Sequence, residues 1–212
     1  MKKAVIFDND GILVNTEHLY FKATQEILAS QGADLTLDIF IESNIKSNRS
    51  AWHLIDKSPQ ELKALKEKRN QRYTELLSEG DLTFPGIREA LAEISKHYRL
   101  CIVTTSRKMH FEAIHQWTDY LPHFEFIITV DDVTNSKPHP EPYLKALEKL
   151  GLNADECFII EDSFRGLKSA QAAGVDCIMI RNEYSQYQEF DGALDILENI
   201  SQLPAILASY SS

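Results

Sequence analysis

Short apolar runs alternate with helix-like segments along most of this chain, and that alternation restricts the folds it can adopt. The apolar runs, read as strands, cover residues 4–7, 100–104, 126–130, 157–160 and 176–180. Helical patterns of about 10–15 residues separate the later runs, which is typical of strand–helix–strand units. Strands that are apolar on both faces are buried on both faces, as in parallel sheets. The sequence therefore predicts an α/β fold, a Rossmann-like, doubly wound parallel sheet covered by helices.

The segment between the first and second apolar runs has a different character. It shows no strand pattern, and helices are predicted at residues 17–31, 37–45, 50–55 and 58–80. The last of these opens with a capping signature at residues 58–61. The helices of the strand–helix units are predicted at residues 87–96, 108–117, 141–150, 165–173 and 200–207. We therefore predict an α/β core domain of residues 1–14 and 83–212, with an all-helical cap domain of residues 15–82 inserted after the first strand.

Charge and cysteine content exclude several classes of partner. The net charge of −10 argues against binding to nucleic acid or to an anionic membrane. The first apolar run is too short for a signal peptide, and no run approaches the length of about 18 residues that a membrane span needs. Cys101, Cys157 and Cys177 lie far apart beside apolar runs, which indicates buried, reduced thiols. We expect a cytoplasmic protein without nucleic-acid or membrane partners, either a monomer or a weak homodimer.

The first apolar run stops abruptly at Asp8-Asn9-Asp10-Gly11. In a strand, the spacing of two residues points Asp8 and Asp10 toward the same side. Ligands of parallel sheets bind beyond the carboxyl ends of the strands, so these carboxylates are suited to a metal and a phosphate. An ordinary polar turn is the alternative, because Asp, Asn and Gly are common turn formers. Taken alone, the stretch is equally compatible with both.

Polar side chains of matching chemistry also follow the second, third and fourth predicted strands. They are Thr104, Thr105 and Ser106, then Lys137, then Glu161 and Asp162. Singly, such residues are common as helix caps, solvated surface groups or loop acids. Together with the first strand end they converge on one edge of the sheet, where carboxylates offer the oxygen ligands that Mg²⁺ prefers. A hydroxyl and a lysine beside them supply a donor and a positive charge for a phosphate, which leaves Asp10 free to move protons.

In their order along the chain, these motifs resemble those of the haloacid dehalogenase-like phosphohydrolase superfamily. The matching stretches are D-N-D-G from Asp8, the strand-end Thr104, S-K-P-H-P-E-P around Lys137 and E-D-S-F-R-G-L-K-S-A-Q-A-A-G from Glu161. The resemblance spans essentially the whole predicted core. The helical insertion after the first motif is similar to the small cap of the β-phosphoglucomutase-like subgroup.

The resemblance implies a Mg²⁺-dependent phosphatase for a small phosphorylated metabolite, such as a sugar phosphate. Asp8 would attack phosphorus to give an aspartyl-phosphate, while Asp10 would protonate the leaving oxygen and then activate water. Thr104 and Lys137 would hold the transferring phosphoryl group. The implied metal ligands are Asp8, the main-chain carbonyl of Asp10, Asp162 and, directly or through water, Glu161.

A cap in this position can close over the site and select the substrate. Thr16 lies beside Asn15, where the chain leaves the core. Arg49 lies in a turn between cap helices and is expected to hold an anionic part of the substrate. Lys46 and, more weakly, Arg69 are further candidates for this contact, but a solvated position on the cap surface is favoured for both. The predicted substrate contacts are Asn9, Thr16, Arg49, Thr105 and Ser106.

Other functions are compatible with parts of this pattern. A phosphomutase of the β-phosphoglucomutase type is one; such mutases carry a cap histidine where this chain has Tyr20, with His18 two residues earlier, so a phosphatase is favoured. A dehalogenase is disfavoured by Asp10 and the later acidic pair. A non-catalytic phosphoacceptor resembling a receiver domain would carry its phosphorylated aspartate after a later strand, without a helical insertion. Asn9 and Asn15 depart from the family pattern, which more often has an apolar residue and an aspartate there.

Overall fold

A single parallel sheet forms the centre of the protein. The computed structural model describes residues 1–46 and 49–210. The strands are β1 Ala4–Phe7, β2 Arg99–Val103, β3 Phe124–Ile128, β4 Cys157–Glu161, β5 Asp176–Ile180 and β6 Asp195–Leu197. They are arranged in the order β3-β2-β1-β4-β5-β6 and all neighbours are parallel. The predicted α/β fold is confirmed, and β1 lies in the middle of the sheet, where every one of its residues is buried.

Two strands differ from the prediction by more than one residue. β3 begins at Phe124, which pairs with Leu100 of β2, and it ends at Ile128 instead of residue 130 because the next turn starts at Thr129, whose hydroxyl and backbone amide both bond Asp132. β6 was not predicted, because an edge strand of three residues with exposed Ile196 carries too little apolar pattern to be recognised.

The segment after β1 is helical, as predicted. It contains α1 Glu17–Ala29, α2 Leu37–Phe40 continued by a π-helical stretch Ile41–Lys46, a 3-10 turn Ala51–Leu54, and α3 Pro59–Leu77. α3 opens with the expected capping box, in which the Ser58 hydroxyl accepts from the Glu61 amide and the Glu61 carboxylate accepts from the Ser58 amide. Leu28, Phe40 and Trp52 belong to a buried cluster of this segment.

The remaining helices cover the two faces of the sheet. They are α4 Ile87–Ile94, α5 Lys108–His115, α6 Glu141–Leu150, α7 Phe164–Ala172 and α8 Leu203–Ser209. Alternate residues of β1 point to opposite faces, so Val5 and Phe7 share a buried cluster with α4, α5 and α8, while Ala4 and Ile6 pack with α6 and α7. Among the described residues, no helix combines the length and apolar character needed to cross a bilayer.

The helical segment leaves and rejoins the core at adjacent points. Val14 forms an antiparallel bridge with Thr83, and the Asn15 amide donates to the Leu82 carbonyl at 2.8 Å. The exit point lies only four residues after Asp10 along the chain. The helical segment is therefore attached directly beside the carboxyl end of β1.

Candidate active site

The loop after β1 turns sharply to bring its side chains together. The Asn9 carbonyl accepts from the amides of Ile12, Leu13 and Val14. Gly11 has φ +82°, a conformation that glycine adopts without strain. A Cβ on Gly11 would also lie 2.0 Å from an Asp162 carboxylate oxygen. Glycine is therefore required here both by the turn and by the close approach of the acidic loop after β4.

Lys137 lies between two buried carboxylates. Its Nζ donates to Asp8 Oδ1 at 2.9 Å, to Glu161 Oε1 at 2.7 Å and to the Val103 carbonyl at 2.9 Å. The lysine is 2% exposed, Asp8 is 8% exposed and Glu161 is fully buried. This places the ends of β1, β2 and β4 around one ammonium group, as the strand-end pattern predicted.

Glu161 is held on all sides by protein groups. Besides Lys137, its Oε1 accepts from the Tyr143 hydroxyl at 2.7 Å, and its Oε2 accepts from the Asp162 amide at 3.1 Å and the Ser163 hydroxyl at 3.1 Å. α7 approaches so closely that a Cβ on Gly166 would lie 1.8 Å from the Glu161 carboxyl carbon. Glu161 therefore fixes the acidic loop against Lys137.

Asp8, Glu161 and Asp162 form an acidic cluster whose nearest carboxylate oxygens lie within 4.8 Å of one another. Burial, together with the nearby Glu161, raises the pKa of Asp8 to about 7, although Lys137 opposes this. Burial, together with the neighbouring carboxylates of Asp8 and Glu161, raises the pKa of Asp162 well above its usual value. One lysine does not balance three carboxylates, and oxygen donors suit a hard cation. The donor set therefore fits a divalent ion such as Mg²⁺.

Asp10 faces a different set of partners from Asp8. Its Oδ1 accepts from the Thr16 hydroxyl at 2.6 Å, and its Oδ2 accepts from the hydroxyls of Thr104 at 3.1 Å and Ser106 at 2.8 Å. Thr104 also accepts from the Ser106 amide, which closes the loop after β2 around the carboxylate. The two aspartates of the first motif therefore occupy distinct environments, one within the ionic cluster and one among hydroxyls.

A cleft of about 400 Å³ opens above Asp10, between the helical segment and the core. Arg69 lines it from α3, and His110 lines it from α5. The Arg69 guanidinium lies over the Tyr20 ring at 4.1 Å and donates from Nε to Asn70 Oδ1 at 3.0 Å. Arg69 Nη1 is buried without a hydrogen-bond partner among the described residues. The expectation that Arg69 is solvated is wrong, because α3 turns this side chain toward the cleft, where it is 8% exposed.

The predicted substrate contacts fall into two groups. Thr105 is exposed and lines the cleft, and Ser106 lies beside it. Asn9 and Thr16 are both buried: the Asn9 side chain alternates with the two aspartates and points to the interior, and the Thr16 hydroxyl is bonded to Asp10. Arg49 is exposed and is not among the residues lining this cleft, so its contact with the substrate stays a prediction. The expectation for the Lys46 side chain lies outside the described residues.

Two residues that contact the acidic cluster were not predicted from the sequence. Asn182 Nδ2 donates to Asp162 Oδ2 at 2.7 Å and to the Gly11 carbonyl at 3.2 Å, which ties β5 to the two acidic loops. Asn182 lies two residues after the end of β5, so it belongs to the same class of polar residues at strand ends as the other predicted site residues. Tyr143, which bonds Glu161, lies at a core-facing position of α6 and carries no comparable signal in the sequence.

Comparison with known proteins gives a consistent result. Residues 5–180 match the family model described as haloacid dehalogenase-like hydrolase. Protein CbbY of Rhodobacter capsulatus is 33% identical to this chain over 205 residues, and the match covers 90% of each chain. A phosphorylated carbohydrates phosphatase of Thermotoga maritima is 32% identical over 185 residues, and that match covers 83% of each chain. The crystal structure of a CbbY variant from Rhodobacter sphaeroides with xylulose-1,5-bisphosphate has a TM-score of 0.82 at 28% identity, covering 96% of each chain.

Proposed function

The chain belongs to the haloacid dehalogenase-like hydrolase family, in its phosphoric monoester hydrolase subgroup, and from this premise we propose that it is a Mg²⁺-dependent phosphatase acting through an aspartyl-phosphate on Asp8. The proposed substrate is a small phosphorylated metabolite, a sugar phosphate or a related polyol phosphate. Membership of an enzyme family disfavours the non-catalytic phosphoacceptor. The observation that carries the mechanism is the pairing of Asp8 with Lys137 inside the acidic cluster, while Asp10 stands apart among hydroxyl groups.

In the proposed first step, an Asp8 carboxylate oxygen attacks the phosphorus of the ester. A new bond forms between the Asp8 oxygen and phosphorus as the bond between phosphorus and the ester oxygen of the substrate breaks. Protonated Asp10 gives its proton to this leaving oxygen. In the second step, Asp10 takes a proton from a water molecule that attacks phosphorus, which releases inorganic phosphate and restores Asp8. Lys137 and Thr104 hold the phosphoryl group throughout.

The metal site of the proposed enzyme is built from residues whose chemistry suits it. Asp8, the main-chain carbonyl of Asp10 and Asp162 would hold Mg²⁺, with Glu161 acting directly or through water. When bound, Mg²⁺ supplies the positive charge that offsets repulsion between carboxylate and phosphate. Asn182 keeps Asp162 in place for that role through its bond of 2.7 Å.

We propose that residues 15–82 act as a cap domain on a core of residues 1–14 and 83–212. The chain leaves the core at Val14 and Asn15 and returns to it at Leu82 and Thr83, and these two adjacent connections are suited to act as a hinge. Substrate recognition is assigned to the cleft above Asp10, where Arg69 offers an unused donor. A phosphomutase remains the alternative; Tyr20, at the position of the mutase histidine, packs beneath Arg69 and against Tyr73 at 5.4 Å, which supports the phosphatase.

Phosphate release from a panel of sugar, polyol and nucleotide phosphates tests the proposed function. We expect hydrolysis of one or more sugar or polyol phosphates with Mg²⁺, and loss of that activity in EDTA that is regained on adding Mg²⁺. Product analysis by NMR separates hydrolysis from isomerisation. Isomerised sugar phosphate formed in the presence of a bisphosphate activator, without net phosphate release, would favour the mutase instead.

Arg69→Met is expected to weaken substrate recognition. Methionine keeps an apolar side chain of similar length but removes the guanidinium, which lies over the Tyr20 ring and lines the cleft. A hydrogen bond to a charged group contributes about 1.5–3 kcal/mol, so we expect kcat/KM to fall by about 10- to 100-fold. The effect should lie mainly in KM, which steady-state kinetics on the best panel substrate will measure.

Arg72→Met is the matched control on the same helix. Arg72 faces outward and pairs with Glu26 and Glu75 on the surface, where ion pairs contribute little. We expect its kcat/KM to stay within about twofold of the parent enzyme. Arg49→Met tests the alternative anchor. A larger loss of kcat/KM in this variant than in Arg69→Met would favour Arg49 as the residue that holds the substrate.

A further inference from the structure

Asn9 connects the first motif to a buried histidine. Its Oδ1 lies 2.7 Å from His115 Nε2, and its Nδ2 donates to Asp10 Oδ2 at 3.2 Å. Asn9 is fully buried and His115 is 6% exposed. His115 is the last residue of α5, so this chain of contacts runs from a helix that covers the sheet to the carboxylate assigned to proton transfer.

The direction of these hydrogen bonds follows from the chemistry of the groups. Asp10 Oδ2 accepts from Asn9 Nδ2, both when Asp10 is ionised and when its transferable proton is on the other oxygen, so Asn9 presents its oxygen to His115. His115 Nε2 must then carry the proton and donate it. Burial lowers the pKa of His115 to about 4, which keeps the ring neutral with one N–H. The other ring nitrogen, Nδ1, lies 2.9 Å from the Thr118 hydroxyl and in this tautomer accepts its proton, in place of the His115 carbonyl at 3.2 Å.

The imidazole ring is held firmly enough to set the orientation of the amide. It packs against Phe111 with ring centroids 4.2 Å apart and against the edge of Tyr120 at 5.8 Å. The backbone of Asn9 is equally fixed, because its carbonyl accepts three amides of the loop. The remaining freedom in this link is rotation of the Asn9 side-chain amide. A half-turn would put its oxygen against the carboxylate of Asp10, which is repulsive.

We propose that His115 is a positioning residue for the phosphatase reaction: by donating to Asn9, it fixes the amide so that Asp10 is held in place for proton transfer. This inference rests on the proposed function. Asn9 and His115 act as a unit, in which the histidine supplies the donor that orients the asparagine and the asparagine supplies the donor that reaches Asp10. The polar residue at position 9, where the sequence pattern more often has an apolar one, thereby gains a role that is not substrate contact.

The dependence of kcat/KM on the leaving group tests the proposal. Expulsion of phenoxide requires more help from a proton donor than expulsion of 4-nitrophenoxide, so a misplaced Asp10 should affect the two esters differently. For His115→Phe, which keeps a ring between Phe111 and Tyr120, we expect a loss of about tenfold with phenyl phosphate and of less than about threefold with 4-nitrophenyl phosphate. KM for both esters should change little.

Two further variants separate positioning from folding. His115→Gln keeps an N–H at similar reach and is expected to restore the ratio of the two esters toward that of the parent. The double variant Asn9→Leu with His115→Phe replaces both buried partners by apolar groups, which avoids an unpaired polar atom. It should fold and show the same altered ratio as Asn9→Leu alone, because the histidine acts only through the asparagine.

Equal losses on both esters, or a lower melting temperature with an unchanged ratio, would overturn the proposal. A further change of the ratio when His115→Phe is added to Asn9→Leu would do the same, since it would mean that His115 acts independently of Asn9. The proposed function fails separately, if Asp8→Asn retains turnover of both esters. An inactive Asp8→Asn together with an unaltered ratio in His115→Phe would remove the positioning role and leave the phosphatase assignment standing.

Discussion

Asp8→Asn is expected to abolish turnover of every substrate the parent enzyme hydrolyses. The amide that replaces the carboxylate is a poor nucleophile, and it also removes one of the oxygen donors assigned to Mg²⁺. By comparison with other enzymes that act through a covalent intermediate, we expect kcat to fall by about 10⁴-fold or more. Phosphate release measured over hours at high enzyme concentration will set the residual rate. Acid-quenched protein incubated with ³²P-labelled substrate should carry label in the parent and none in the variant.

The same variant should fold normally, which makes its inactivity interpretable. Burial and Glu161 raise the pKa of Asp8 to about 7, so a charge at this position opposes folding when no cation is bound. A neutral isostere is therefore expected to leave the melting temperature unchanged or higher. Asp34→Asn makes the same change at an exposed position and should keep full activity. Turnover by Asp8→Asn above about one thousandth of the parent rate would rule out Asp8 as the nucleophile.

The catalytic centre was predictable because it depends on chain direction and strand ends. The parallel sheet brings the carboxyl ends of β1, β2 and β4 to one edge, so residues placed there by sequence meet in space. Asp8 and Glu161 accordingly both lie within hydrogen-bond distance of Lys137. These residues meet around one lysine because β1 lies between β2 and β4, an order that the sequence pattern did not specify.

The cap contacts were less predictable because they depend on how helices rotate and pack. Arg69 and Arg72 are both arginines on α3, and only the packing of that helix against α1 and α5 decides which one turns inward. Arg49 belongs to a turn, whose direction has no periodic signal. The burial of Asn9 has a different origin: its neighbours are residues of the candidate site, but the alternation along an extended chain sends its side chain to the opposite side.

Lys137→Met is expected to impair both activity and stability. The ammonium group is bonded to Asp8, Glu161 and the Val103 carbonyl, so its loss leaves two buried carboxylates without their cation. Removing one partner of a buried ion pair costs about 3–5 kcal/mol of unfolding free energy. For a chain of this size that corresponds to a melting temperature lower by about 10 °C. Loss of the charge that we propose to hold the phosphoryl group should lower kcat/KM by about 10³-fold.

Mg²⁺ and a surface control separate these two effects. The variant site carries a greater excess of negative charge, so saturating Mg²⁺ should raise its melting temperature by more than it raises that of the parent, while kcat/KM stays low. Lys149→Met makes the same charge change at an exposed position of α6, and both its melting temperature and its activity should match the parent. If Lys137→Met kept kcat/KM within tenfold of the parent, Lys137 would serve only to neutralise the acidic cluster. The phosphoryl group would then have to be held by Thr104 and the loop after β2 without it.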